Sequence, residues 1–106
     1  MANPVKNLAI AMEALNLQKH LRTLLGHDAV IVRPRGGHFL IELQPQEDGD
    51  DVLTVARLTA VNSTDYTAAF RNHSGRWEPL PGQGDMANMA KLVTELLAPF
   101  LEPDNY

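Results

Sequence analysis

The sequence predicts the α+β class: an antiparallel meander sheet of four to five strands, flanked by an N-terminal and a C-terminal helix that pack on one face. Three observations carry this prediction. Apolar residues recur with helical spacing near both ends of the chain, segments of alternating polarity lie between, and the turns joining those segments are too short for a helical crossover. With 106 residues, 44% of them hydrophobic, we expect one domain over 1–106 with a disordered tail at 102–106.

The two helices have recognisable ends. Asn3 can cap a helix that begins at Pro4, and Gly26 can end it after Leu25, because glycine adopts the left-handed conformation without strain. Asp85 is the expected N-cap of the second helix. The apolar face of that second helix contains Met86, Met89, Ala90, Val93, Leu96, Leu97 and Phe100.

The segments between the helices alternate apolar and polar residues and are separated by turn-forming residues. The predicted strands are 29–33, 38–44, 52–61, 66–71 and 76–80. The residues at 34–37 predict a hairpin turn, and Pro79 marks the last strand as an edge or an ending. The acidic run over 45–51 is a predicted solvated connection.

Composition argues against several classes of function. The chain has no cysteine, so it has neither disulfides nor thiolate chemistry. A net charge of −4 and a pI near 5.4 argue against nucleic-acid binding, which needs a surplus of lysine and arginine. Polar residues interrupt the apolar stretch from Val5 to Leu15, so we expect no signal peptide, no membrane span and a cytoplasmic location.

No motif in the chain is typical of an enzyme or a metal site. His20, His27, His38 and His73 lack the spacing of a metal-binding pair, and the acidic run lacks the EF-hand pattern. A G-x-S-x-G nucleophile elbow is also absent from the sequence. We therefore assign no catalytic residue, metal ligand or cofactor, and we interpret Trp77 as a core or edge-covering residue.

Helix one carries two apolar stripes instead of one. The residues of the first stripe are Val5, Leu8, Met12 and Leu15, and those of the second are Ile10, Ala14, Leu17, Leu21, Leu24 and Leu25. One interpretation is a homodimer that buries the first stripe. The other is a helix that breaks near Asn16 and folds its first part back over the core, and the sequence leaves both open.

The sheet is expected to have an open face that is part apolar and part arginine. Strict alternation turns Phe39, Ile41, Leu43, Val52, Ala56, Leu58, Tyr66, Ala68 and Phe70 to the helices, and Leu40, Glu42, Leu53, Val55, Arg57, Thr59, Val61, Thr67 and Arg71 away from them. On this face we take Arg57, Arg71, Thr59, Thr67 and Glu42 as candidate ligand or partner contacts, with Arg33 and Arg35 from the hairpin turn. We add Leu53 and Val55 to the dimer interface. Scattered exposed aliphatic residues are also common on sheets, so an idle face stays an alternative.

These features favour a non-catalytic binding or interaction module, acting as a homodimer or with another protein partner. The alternative is a binder of a small acidic ligand, or an enzyme of unknown reaction, that uses the arginine-lined open face. Tyr66 would then join the threonines as a further ligand contact.

Overall fold

The computed structural model of the protein describes residues 4–44 and 51–102, with side chains from Leu8 onward. Its helices are α1 (Pro4–Leu25) and α2 (Met86–Leu97), the second continued by a 3-10 turn (Ala98–Phe100). Its strands are β1 (Val30–Arg35), β2 (His38–Leu43), β3 (Leu53–Ala60), β4 (Tyr66–Arg71) and β5 (Trp77–Pro79). They form one antiparallel sheet in chain order, which confirms the predicted meander between two terminal helices. The predicted acidic connection and terminal tail lie outside the described residues, except for Asp51 and Glu102.

Helix α1 is continuous through Asn16, so the interpretation with a break at that residue is wrong. It ends as the sequence predicts: Gly26 has a φ of 78°, and its N–H donates to the carbonyl oxygen of Arg22 at 2.9 Å. The stripe that packs on the sheet contains Ala14, Leu17 and Leu21, all buried. The residues of the opposite stripe that the structure describes are Leu8, Met12 and Leu15, which are 62%, 57% and 62% exposed.

Helix α2 begins at a side-chain cap. The Asp85 carboxylate accepts a hydrogen bond from the N–H of Asn88 at 2.8 Å, as expected for an aspartate at this position. The buried side of the helix contains Met89, Ala90, Val93 and Leu97. Two residues assigned to the same apolar face, Leu96 and Phe100, are instead 47% and 64% exposed.

Both helices pack on the same face of the sheet and share one core. Leu17 and Leu21 of α1, Val93 of α2, and Ile41 and Leu58 of the sheet are all fully buried in it. No helix of the described residues lies on the other face of the sheet. Within residues 4–44 and 51–102, no helix combines the length and the apolar character needed to cross a membrane.

A β-bulge between β2 and β3 changes which residues of β3 face the helices. Ile41 pairs with Ala56, but the next residue of β2, Glu42, pairs with Thr54, so Val55 is an extra residue in β3. Val55 is 6% exposed and belongs to the core, and Leu53 shares the helix-facing side with Leu43. The placement of Leu53 and Val55 on the open face is therefore wrong, because one extra residue inverts the alternation beyond it.

The free edge of β1 is closed by side chains of α1. The N–H of Val32 donates to Gln18 Oε1 at 3.0 Å, and Arg22 Nε donates to the carbonyl oxygen of Val30 at 2.9 Å. Pro34, further along the same edge, has no N–H to offer. The opposite edge strand, β5, has only three residues and ends in proline. Strand addition is therefore disfavoured at both edges.

Candidate functional site

The open face is the side of the sheet that turns away from α1 and α2, and its side chains come from every strand. Along one row, Arg33 of β1 pairs with Leu40, which pairs with Arg57 of β3. In the neighbouring row, Arg71 of β4 pairs with Trp77 of β5. Consecutive strands lie about 4.8 Å apart, so the long side chains of arginines on alternate strands are close enough to line the same depression.

These side chains surround a depression of about 390 Å³, which we call the arginine cavity. It is lined by Arg33, Arg35, Gly36, His38, Leu40, Glu42, Thr54, Arg57, Arg71 and Trp77. Of the predicted ligand contacts, the structure therefore brings together the four arginines and Glu42. Thr59 and Thr67 pair with each other one row further along the sheet and do not line the cavity.

Glu42 lies at the floor of the arginine cavity and fixes one arginine. Its side chain is 5% exposed, and its Oε2 accepts from Arg33 Nη2 at 2.7 Å and from Thr54 Oγ1 at 3.5 Å. The Arg33 side chain is 60% exposed, so this ion pair joins a buried carboxylate to a guanidinium that still reaches water. Burying a carboxylate without a cation beside it costs free energy, so the Glu42 carboxylate holds the Arg33 guanidinium in place.

Trp77 fixes a second arginine. The Arg57 guanidinium carbon lies 4.4 Å from the centroid of the Trp77 ring, and that of Arg71 lies 5.8 Å from it. Ala69 lies on β4, between Arg57 of β3 and the edge strand β5 that carries Trp77, and it is small enough to let the Arg57 side chain cross β4. Arg57 Nε is buried and has no hydrogen-bond partner within the described residues, so it is an unsatisfied donor beneath the cavity.

The arginine cavity is a positive patch on an acidic protein. Four arginines line it, whereas the chain as a whole has a net charge of −4. Among the lining residues that the structure describes, Glu42 is the sole carboxylate, and it is paired with Arg33. Within residues 4–44 and 51–102, Arg35, Arg57 and Arg71 form no ion pair. Three guanidinium groups thus keep hydrogen-bond donors for a carboxylate or phosphate, which the fork of arginine donors fits.

A second depression, the apolar cleft, adjoins the arginine cavity at the end of the sheet. It measures about 810 Å³ and is lined by Val52, Leu53, Thr54, Val55, Phe70, Arg71, Asn72, His73, Gly75, Glu78, Leu97 and Phe100. Thr54 and Arg71 line both depressions, so the two meet along these side chains. No functional role had been predicted for this cleft, since it depends on the bulge that turns Leu53 towards α2.

Five residues of the arginine cavity were not among the predicted contacts, and the positions of two of them, His38 and Trp77, follow from sheet geometry. His38 alternates with Leu40 and Glu42 along β2, and its Nδ1 lies 2.7 Å from Thr59 Oγ1. Trp77 lies on the edge strand β5, and the hairpin register that pairs it with Arg71 brings its ring to the open face. The length of the turn between β4 and β5 could have indicated this register from the sequence.

The described side chains of the open face form neither a catalytic triad nor a cluster of metal ligands. The His38–Thr59 contact resembles a base beside a hydroxyl, but within the described residues no carboxylate orients the other ring nitrogen of His38. In the same part of the chain, no three histidine or acidic side chains approach one another as metal ligands would.

Burial raises the pKa of Tyr66 above its usual 10.0, and the charge and hydrogen bond of Glu13 raise it further. Tyr66 belongs to the core, so it is not a contact of the open face.

Comparison with known proteins assigns no family. No family model matches the chain, and neither a curated protein nor a solved structure shows significant similarity to it.

Proposed function

We propose that the protein is a non-catalytic binding module whose arginine cavity receives an anionic ligand. The observation that carries the proposal is the gathering of Arg35, Arg57 and Arg71, none paired to a carboxylate within the described residues, around one depression. Four of the chain's six arginines line this depression; the other two are Arg22 and Arg76. Carboxylate and phosphate groups are the ligands that such a cluster recognises.

The cavity is also preorganised. Arg33 is held by Glu42, and Arg57 is held against Trp77, so both guanidinium groups keep their positions before a ligand arrives. Less side-chain freedom is then lost on binding, which favours affinity. The mixture of aromatic and arginine side chains is typical of residues that dominate binding energy at interfaces.

Calorimetric titration with two probes at low salt tests this proposal. Tricarballylate supplies carboxylates and pyrophosphate supplies phosphates, so the pair also identifies the preferred anion. We expect binding that weakens by about tenfold in Arg57→Gln, the loss typical of a contact that carries much of the binding energy. Arg76→Gln, an exposed arginine outside the cavity lining, is the matched control and should leave the affinity unchanged. Equal effects of the two substitutions, or no binding of either probe, would reject the proposal.

A second candidate function, self-association, is favoured by the exposed stripe of α1. Leu8, Met12 and Leu15 form an apolar row on the side of the helix opposite the core, and no described residue covers them. Val5 belongs to the same predicted stripe, but its side chain lies outside the described ones. We propose that a second copy of the chain packs on this row in a symmetric dimer.

Light scattering after gel filtration tests the dimer. We expect twice the chain mass for the natural protein and the monomer mass for Met12→Glu, because a charge in the centre of the row opposes its burial. Leu24→Glu, a substitution of another exposed apolar residue of α1, is the control and should keep the dimer mass. Monomer mass for the natural protein at micromolar concentration would exclude the dimer.

We also propose a cytoplasmic location. The chain contains no cysteine, so its folding needs no oxidising compartment. Fractionation of cells that express the full-length protein tests this, and recovery with the membrane or secreted fraction would contradict it.

A further inference from the structure

The arginine cavity and the apolar cleft form a surface that runs around the end of the sheet, from its open face to its helix-facing side. Arg71 and Thr54 line both, with the arginines on the open-face side and Leu53, Phe70 and Phe100 on the cleft side. A ligand that passes from one to the other goes around the end of the sheet at Arg71 and Thr54, from guanidinium groups on the open face to apolar side chains on the helix-facing side. A ligand that covers both would meet cations first and hydrocarbon next.

The cleft brings several exposed apolar side chains together. Val52, Leu53 and Phe100 are 47%, 57% and 64% exposed, and all three line it together with the buried Leu97. Adjoining exposed apolar side chains are a common feature of binding surfaces. A volume of about 810 Å³ has room for large apolar side chains.

The spread of the arginines sets the size of the ligand. Arg35 and Arg71 lie three strands and two rows apart, so their Cα atoms are separated by a distance on the order of 20 Å. About six residues of extended peptide span this distance. A small ligand with one acidic group would leave most of the arginines unused.

We infer that this surface binds a peptide segment of a partner protein in which acidic residues adjoin large apolar ones. The acidic side chains contact Arg35, Arg57 and Arg71, and the apolar side chains enter the cleft. The charges of the described lining residues fit such a segment, because four arginines outnumber the two carboxylates of Glu42 and Glu78. Since both sheet edges disfavour strand addition, the segment is recognised through its side chains.

This inference rests on the proposed anion-binding function and adds the apolar half of the ligand. Three synthetic peptides separate the two. The first has a block of aspartates followed by leucine and phenylalanine, the second replaces its apolar residues by serine, and the third replaces its aspartates by asparagine. Fluorescence anisotropy of labelled peptides should show the first binding about tenfold more tightly than either control.

Substitutions in the chain assign each half of the peptide to its half of the surface. Leu53→Ser combined with Phe100→Ser should remove the advantage of the first peptide over the second, and Arg57→Gln should weaken both. Leu24→Ser, which removes a leucine that is 48% exposed and lies outside the cleft lining, should change neither. Both targeted cleft residues are exposed, so the fold should tolerate their replacement.

The outcomes distinguish the two proposals. Equal affinity for the first and second peptides, with a loss in Arg57→Gln, would overturn the apolar half and leave anion binding in place. Tight binding of the first peptide that Arg57→Gln does not weaken would overturn both. A preference for inorganic polyphosphate over every peptide would overturn the inference of a protein partner.

Discussion

The ion pair between Arg33 and Glu42 allows a quantitative test of how the open face is built. We expect Arg33→Gln to lower the free energy of unfolding by about 1–2 kcal/mol, since it leaves the Glu42 carboxylate buried with only the Thr54 hydroxyl. The loss should stay below the ~3–5 kcal/mol of a fully buried pair, because 60% of the Arg33 side chain is exposed and water screens the interaction. Glu42→Gln keeps the shape of the side chain and should cost less.

A double-mutant cycle in urea measures the coupling directly. Four proteins are needed: the natural chain, Arg33→Gln, Glu42→Gln and the double variant. A coupling of about 1 kcal/mol is expected, above the value usual for exposed pairs, and a 2.7 Å contact to a 5%-exposed carboxylate is the reason. For a domain of this size the Arg33→Gln variant should melt about 4–10 °C lower. A coupling near zero would show that Arg33 is not held by Glu42, and would remove the argument for preorganisation.

Three further predictions concern the frame that carries the site. Asp85→Ala should cost about 1 kcal/mol, because the N-terminus of α2 loses its side-chain cap. The pKa of Tyr66 is raised above 10.0 in the fold, so the stability that this residue contributes is complete below pH 10 and is lost as the pH rises through the raised value. Glu13→Gln should lower the pKa of Tyr66, but not to 10.0, because the burial of the side chain remains. Gln18→Leu should cost about 1 kcal/mol and increase self-association, because Val32 then has a free N–H on the β1 edge.

Each of these has a matched control. Urea unfolding should show no loss in Asp28→Ala, an exposed aspartate outside the helix cap, and an equal loss there would contradict the capping argument. Ultraviolet titration of tyrosinate is cleanest in a Tyr106→Phe background, where an ordinary pKa for Tyr66 would contradict its burial. Gln18→Glu keeps an acceptor for the edge N–H and should stay monodisperse in light scattering. If it associates as strongly as Gln18→Leu, edge protection is not the cause.

The fold followed from the sequence because its signals are local. The cap at Asp85, the stop at Gly26 and the short turns each act within a few residues, and the strand order follows from turn length. Alternation along β2 and the second half of β3 placed Glu42 and Arg57 on the open face correctly. These assignments need no knowledge of distant contacts.

The errors lie where pairing between strands decides the outcome. The bulge opposite Ile41 is a property of two strands together, so alternation along β3 alone could not place Val55 or Leu53. Alternation placed Thr59 on the open face, but it could not show that the Thr59 hydroxyl contacts His38 of the neighbouring strand. Trp77 was assigned to the core or an edge for its size, and only the β4–β5 register brings it beneath Arg57.

Anion binding at the arginine cavity can be detected through Trp77, the single tryptophan of the chain. Trp77 contacts Arg57 and lies within 5.8 Å of Arg71, so a ligand that engages these arginines must change the environment of its indole N–H. The measurement is the indole resonance of Trp77 in ¹H–¹⁵N spectra during titration with the first peptide, in which aspartates are followed by leucine and phenylalanine. A saturable shift that salt weakens and that is lost in Arg57→Gln is the predicted result. An unchanged indole resonance while amides elsewhere in the protein shift would contradict the claim.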